Sequence, residues 1–280
     1  MSEKSQNPSQ PEPGDEPPPV FEVRRGESPL ILGMPHTGIF VPEDVWAQLD
    51  ANGRALADTD WHIDRLYDGI APGATTVRAL FHRYVIDANR DPQGTSLYPG
   101  QNTTGLVPLT DFDGVPLWRE AAVPDEAEVL RRRAAFHSPY HAALAAEIER
   151  VKERHGVAIL FDCHSIRSRI PWLFDGVLPD LNIGTDEGRS CAPALQDMVF
   201  DAAAASGCTH VLNGRFKGGW TTRHYGRVAE GVHAIQLEIA QSAYLATEAA
   251  PFDYHASKAE RLRETLAAML ARLEAAAGSL

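Results

Sequence analysis

The chain has only three cysteines in 280 residues, Cys163, Cys191 and Cys208, and no CxxC spacing among them. That is too few for a disulfide framework, so a reducing, cytoplasmic setting is expected. Positive charge is also scarce. Lys and Arg total 26 against 38 Asp and Glu, leaving a formal charge of −12. Such a balance argues against nucleic acid as a partner, because phosphates demand a basic footprint. No apolar run approaches the roughly 18 residues of a membrane span, and Met1 to Pro19 lacks the basic start and apolar core of a signal peptide. There is no G-x-S-x-G elbow, no phosphate-loop glycine pattern and no internal repeat. Serine-elbow hydrolysis and nucleotide binding therefore have no support. The i, i+4 pair His137 and His141 lacks the glutamate of H-E-x-x-H and reads as structural.

What is present is an ordinary globular composition, 44% hydrophobic and 23% charged. Residues 1 to 20 hold six of the 20 prolines and are expected to form a disordered leader. Residues 21 to 280 then read as one α/β domain. Strands are expected at Leu30 to Leu32, Thr75 to Leu80, Tyr84 to Asp87, Val157 to Phe161, His210 to Leu212 and Val232 to Ile239. Helices are expected over Glu126 to His155, with a break at Ser138-Pro139 and Gly156 as C-cap, over Ser190 to Ser206, and over Ala256 to Ala276. This alternation predicts a mixed, mostly parallel sheet with helices on both faces, and its site at the carboxyl ends of the strands.

That rule selects four places. His36 and His164 are each ejected from a strand end beside polar neighbours. The plainer reading makes them ordinary strand-end residues; as a pair near carboxylates they suggest a divalent site of His/His/carboxylate type. The third ligand is open among Asp60, Asp58 and His62, with Asp60 preferred; the alternative is an acidic helix start. Glu238, a carboxylate on an otherwise apolar strand, is the candidate general base, against a buried ion pair with an arginine. Arg90 with Asn89 on a Pro92-stiffened turn, and Arg223 in the Gly-rich basic loop Arg215 to Gly226, are candidates to bind a small anionic molecule. Arg167, Arg169, Arg215, Lys217 and Arg227 stay open, any one of them being an ordinary surface charge.

Six motifs, in order, resemble the N-formylglutamate amidohydrolase (N-formylglutamate deformylase) family. They are Pro35-His36-Thr37-Gly38, the run Asp58 to Tyr67, the run Asp87 to Pro92, Phe161-Asp162-Cys163-His164-Ser165, the run Phe216 to Gly226, and His233 to Glu238. The resemblance spans about Leu30 to Tyr244. It implies a distant relation to zinc carboxypeptidases, hence a phosphorylase/hydrolase-like sheet with the metal at strand ends. It further implies His36 and His164 as imidazole ligands of one divalent ion, zinc by preference, Glu238 as the carboxylate that activates water, and Asn89-Arg90 as the grip on a substrate carboxylate. One departure stands out: the glutamate that follows the first His of carboxypeptidases by three residues is Ile39 here. The activity implied is hydrolysis of N-formyl-L-glutamate to formate and L-glutamate, in histidine breakdown. The alternatives are a deacylase for another N-acyl amino acid, a carboxypeptidase-like hydrolase, or a non-catalytic binder of acidic amino acids. Oligomeric state is not legible.

Overall fold

The computed structural model describes residues 16–96 and 100–280; most of the expected leader lies outside them. In chain order the elements are β1 (Phe21–Arg24), β2 (Leu30–Met34), α1 (Glu43–Gln48), α2 (Ile63–Tyr67), β3 (Thr75–Ala79), α3 (Glu126–Arg132), α4 (Ser138–His155), β4 (Ala158–Ile166), β5 (Leu181–Gly184), α5 (Pro193–Ala205), β6 (His210–Leu212), α6 (Trp220–Tyr225), β7 (Val232–Ala240) and α7 (Ala256–Ala276). The seven strands form one sheet in the order β1-β3-β2-β4-β7-β5-β6. The pairs β3–β2, β2–β4, β4–β7 and β5–β6 are parallel. Only β1–β3 and β5–β7 are antiparallel, so the expected mixed, mostly parallel sheet is what forms.

Each face carries its own apolar layer. Leu30, Leu32, Ile159, Phe161, Ile235 and Leu237 pack with α2, α5 and α7 on one side. Ile31, Val77, Leu160 and Ala234 pack with α1 and α4 on the other. In α7 the buried residues Leu262, Leu266, Met269, Leu270 and Leu273 recur at helical spacing, so one stripe of the helix covers the sheet. Helix α4 stops at Gly156, whose φ of +77° suits a residue without a Cβ and lets its N–H reach the Lys152 carbonyl at 2.8 Å.

The core strands explain the site. In β4 and β7 the residues facing α4 begin apolar, as Ala158, Leu160, Val232 and Ala234. Along the same two strands that face then turns polar, as Asp162, His164, Gln236 and Glu238. The parallel register sets Asp162 beside Gln236 and His164 beside Glu238. The opposite face stays apolar through Phe161, Cys163, Leu237 and Ile239. Cys163 therefore points away from His164, as strand alternation requires.

Several expectations are corrected. Tyr84 to Asp87 is not a strand: Val85 N–H donates to the His82 carbonyl and Tyr84 N–H to His82 Nδ1, which curls the chain into a turn. The strand expected to end at Phe161 continues to Ile166, because β7 supplies pairing partners up to Ala240. Helix α5 starts at Pro193 rather than Ser190, since proline fits the first helical turn, where its missing N–H is not needed. Residues Trp220–Tyr225 of the Gly-rich loop form a short helix. The stretch from Glu126 to His155 is interrupted by a π-helical turn at Arg133–His137, one turn before the expected break. Strands β1 and β5 and helix α1 carry too few periodic residues to be read from sequence.

Arg132, fully buried, ties this helix to the turn that leads into Asp87. Its Nε donates to Glu128 at 2.7 Å and its Nη1 to the Val85 carbonyl at 3.2 Å. The neighbouring Arg131 and Arg132 bring the Glu128 carboxyl down to about 2, against the opposing effect of burial. Glu128→Ala leaves Arg132 buried without its carboxylate and is expected to cost about 2 kcal/mol at neutral pH, since Glu128 is partly exposed and Arg132 keeps other acceptors. Because the folded-state pKa lies below the unfolded one, this stabilisation is complete above pH 4.5 and fades as pH falls toward 2. Urea unfolding of both proteins across that range checks the value and its sign.

Candidate active site

Three chain segments bring the central group together. His36 follows β2 by two residues, and His164 sits near the end of β4. Asp60 comes from the loop before α2, where its N–H donates to the His36 carbonyl at 3.1 Å. That loop is pinned on several sides. Gln241 Nε2 donates to the Thr59 carbonyl at 3.0 Å, Tyr244 Oη to the Trp61 carbonyl at 2.7 Å, and Thr59 Oγ1 to the Leu56 carbonyl at 2.7 Å. Gly38 seats the loop after β2: a Cβ there would lie 2.3 Å from the Leu80 carbonyl carbon, so no other residue permits so close a pass.

His36, Asp60 and His164 are all buried, and their candidate ligand atoms lie within 4.8 Å of one another. Asp60 Oδ2 stands 3.2 Å from His164 Nδ1 and 3.7 Å from His36 Nδ1. The other ring nitrogens face separate carboxylates: His36 Nε2 is 2.8 Å from Asp87 and His164 Nε2 is 3.1 Å from Asp162. The Asp87 carboxylate accepts from His36 Nε2 and so turns the His36 Nδ1 lone pair toward Asp60, while His164 Nε2 stands between Asp162 and the Asn89 amide nitrogen. His36 Nδ1 and Asp60 Oδ1 are buried with no hydrogen-bond partner. Buried polar atoms are rarely left unanswered, and two imidazoles converging on a buried carboxylate fit a divalent cation.

Electrostatics point the same way. Burial opposes charge on Asp60, yet the contacts with His164 and His36 outweigh it and hold its carboxyl below the ordinary range. Burial likewise opposes an imidazolium at His164, but Asp162 and Asp60 prevail and favour positive charge there. Asp87 is kept ionised against its burial by Arg83 and Arg90, with Arg83 Nη2 donating at 2.6 Å. The carboxylates around the two imidazoles thus favour positive charge at this centre.

Glu238 lies beside it, 7% exposed. Burial pushes its carboxyl up to about 7, with His164 opposing, and Gln236 Nε2 donates to it at 3.2 Å. Both line a solvent-open cleft with His36, His164, Asn89, Arg83, Arg90 and Arg215. Asn89 is fixed in the wall. Its Oδ1 accepts from Thr221 N–H at 2.9 Å and its Nδ2 is 3.1 Å from His164 Nε2. Gly219 makes room for it, since a Cβ there would stand 2.3 Å from the Asn89 amide nitrogen.

Of the residues singled out in sequence, His36, His164, Glu238, Asn89 and Arg90 line one cleft, and Asp60 lies buried against its two histidines. Arg223 is not among the lining residues; its Nε donates to the Gly218 carbonyl at 2.9 Å and lies 3.4 Å from Asp186. Asp58 is turned away, accepting from Phe112 N–H at 2.9 Å. His62 caps α2 in a left-handed conformation and meets the Phe252 carbonyl at 3.0 Å. Arg83, Asp87 and Gln236 are the residues that sequence reasoning missed. Arg83 carried no signal, whereas Gln236 shares the polar side of a strand with Glu238.

An α/β amide hydrolase with a buried imidazole–carboxylate centre at the carboxyl edge of its sheet is the class these features describe, and the relatives agree. The family model for N-formylglutamate amidohydrolase matches residues 28–245. An N-formylglutamate deformylase of Pseudomonas aeruginosa is 49% identical over 256 residues, 91% of this chain and 96% of that protein. One of Pseudomonas putida is 46% identical over 258 residues, covering 90% and 96%. The crystal structure of N-formylglutamate amidohydrolase from Ralstonia eutropha JMP134 superposes with a TM-score of 0.74 at 29% identity, covering 91% of this chain and 97% of that one. The gene product Atu2144 of Agrobacterium tumefaciens shares the fold, with a TM-score of 0.69 at 20% identity, covering 91% and 95%. The chain belongs to the N-formylglutamate amidohydrolase family.

If the Asp162 carboxylate orients His164, then Asp162→Asn should weaken divalent-metal affinity by about 10- to 100-fold. Competition of the apoprotein with a chromophoric chelator for zinc measures it, and an unchanged affinity would remove Asp162 from this role.

Proposed function

We propose that the protein hydrolyses N-formyl-L-glutamate to formate and L-glutamate, a late step of histidine breakdown in the cytoplasm. One divalent metal ion, zinc by preference, is held by His36, Asp60 and His164. The observation that carries the reading is that the two histidines of this buried group share one arginine-lined cleft with Glu238. The named activity of the two Pseudomonas relatives supports the choice of acyl group. Among the described residues no helix is long and apolar enough to cross a membrane.

The ion, when bound, supplies Lewis acidity that brings a water pKa toward 7 and polarises a carbonyl. Everything else falls to side chains. Glu238, with a carboxyl raised to about 7 by burial, takes a proton from the water as its oxygen bonds to the formyl carbon. The same carboxyl then delivers that proton to the amide nitrogen as the C–N bond breaks, releasing formate and the amine of glutamate. Arg83 and Arg90 set a positive potential that favours the negative charge gathering on the carbonyl oxygen.

The substrate is a dianion, and an arginine-lined cleft suits it even in a chain of charge −12. Arg90 is oriented by the Thr104 carbonyl at 2.9 Å and by Thr104 Oγ1 at 2.9 Å, beside Asn89. This pair takes one carboxylate. Arg215, which donates to the Leu173 and Asn102 carbonyls at 3.0 Å each and lies in the same cleft wall, is the candidate for the other, in place of Arg223.

Zinc-loaded protein should release formate from N-formyl-L-glutamate, with far slower release of acetate from N-acetyl-L-glutamate. Glu238→Ala should lower the rate by about 10²- to 10⁴-fold. Faster turnover of the acetyl compound would move the proposal to another acyl group, and an undiminished variant would remove Glu238 as the base.

A further inference from the structure

The helical stretch Arg133–His155 carries three donors at a four-residue interval. Arg133, His137 and His141 lie on consecutive turns, the first two inside the π-helical segment Arg133–His137 and the third in α4. Residues so spaced share one helix face, and here each meets a carbonyl of the Asn89-Arg90 turn. His141 Nε2 is 2.7 Å from the Ala88 carbonyl, His137 Nε2 is 3.1 Å from that of Arg90, and Arg133 Nη1 is 3.1 Å from that of Pro92. Alternate carbonyls on either side of Asn89 and Arg90 are thus answered by side chains of one helix face. A turn cannot satisfy these groups by a sheet ladder, so it depends on such donors.

The two imidazoles are locked as donors. Burial disfavours the charged form of both and brings His141 down to about 3, so each is neutral near pH 7 and offers one N–H. The Ala88 carbonyl, which can only accept, places the His141 proton on Nε2, and Nδ1 faces Tyr225 Oη at 3.0 Å. The rings of His137 and His141 lie 4.3 Å apart, and Trp220 contacts both, at 5.7 and 4.8 Å between centroids. Trp220 follows Gly219, the residue whose missing side chain accommodates Asn89. A π turn is a costly local distortion that recurs at functional sites, and this one ends on His137.

We propose that His137 and His141 are positioning residues: through the Arg90 and Ala88 carbonyls they fix the substrate-binding turn so that Asn89 and Arg90 present their side chains to a substrate carboxylate. The inference rests on the reading of Asn89-Arg90 as the carboxylate grip. It gives the histidine pair a role in binding, where sequence alone suggested only a structural one.

The test is steady-state kinetics of formate release by metal-loaded full-length protein, with thermal unfolding run in parallel. His137→Phe keeps a ring against Trp220 but loses the donor. It should raise KM by about tenfold and change kcat by less than about threefold, because a misplaced grip weakens ground-state and transition-state binding together. His137→Gln, which retains an N–H donor, should restore KM to within about threefold of wild type. Arg90→Gln serves as the reference. If it leaves KM unchanged, the carboxylate-grip reading itself fails. If it raises KM while His137→Phe does not, the positioning role is overturned and the grip stands. A lower melting temperature with unchanged KM in His137→Phe would likewise reduce the pair to a structural part, as would a failure of His137→Gln to rescue KM.

Discussion

The active site depends on the parallel pairing of β4 with β7. Nine consecutive rungs bind these strands, from Ala158 against Val232 to Ile166 against Ala240. A slip of β4 by one residue would turn Asp162 and His164 into the apolar layer that Phe161 and Cys163 now occupy, and a slip of β7 would do the same to Gln236 and Glu238. The register is therefore fixed by burial on both faces, and the chemistry inherits that precision. Two central strands can carry four polar side chains at their carboxyl ends because the amino-terminal halves of the same faces are wholly apolar.

The second constraint is the cost of burying charge. Asp60, Asp87, Asp162 and Glu238 lie close together with almost no exposure. Isolated, such carboxylates would be strongly destabilising. Arg83 and Arg90 offset the charge at Asp87, and the two imidazoles that of Asp60 and Asp162. What is left is a surplus of negative charge gathered around His36 and His164. A divalent cation would complete that balance, and the arrangement holds Glu238 close while burial raises its carboxyl to about 7.

Much of this was legible in the chain. The apolar runs Leu30-Ile31-Leu32 and Val157 to Phe161, and the mixed strand ending in Glu238, mark the three central strands by composition alone. Their polar ends mark His36, His164 and Glu238. Asp60 was one choice among three, and only the fold separates it from Asp58 and His62, which point to Phe112 and Phe252. Arg83 was invisible because it lies in a segment whose apolar residues, Tyr84, Val85 and Ile86, look like a strand but fold as a turn. Arg223 drew notice as a cation in a Gly-rich loop, yet local pairing with Asp186 takes it out of the cleft. Spacing in sequence finds side chains that strands present; it does not find those delivered by turns whose hydrogen bonds come from distant elements.

The central claim is that His36, Asp60 and His164 together hold one divalent ion next to Glu238. A crystal structure of the zinc-loaded protein, with anomalous data at the zinc edge, tests it most directly. The account predicts a single strong anomalous peak joined to Nδ1 of both histidines and to the Asp60 carboxylate, with Asp87 and Asp162 still on the Nε2 side of the rings. A peak on the Nε2 side, or zinc bound away from these three residues in protein that releases formate, would contradict it.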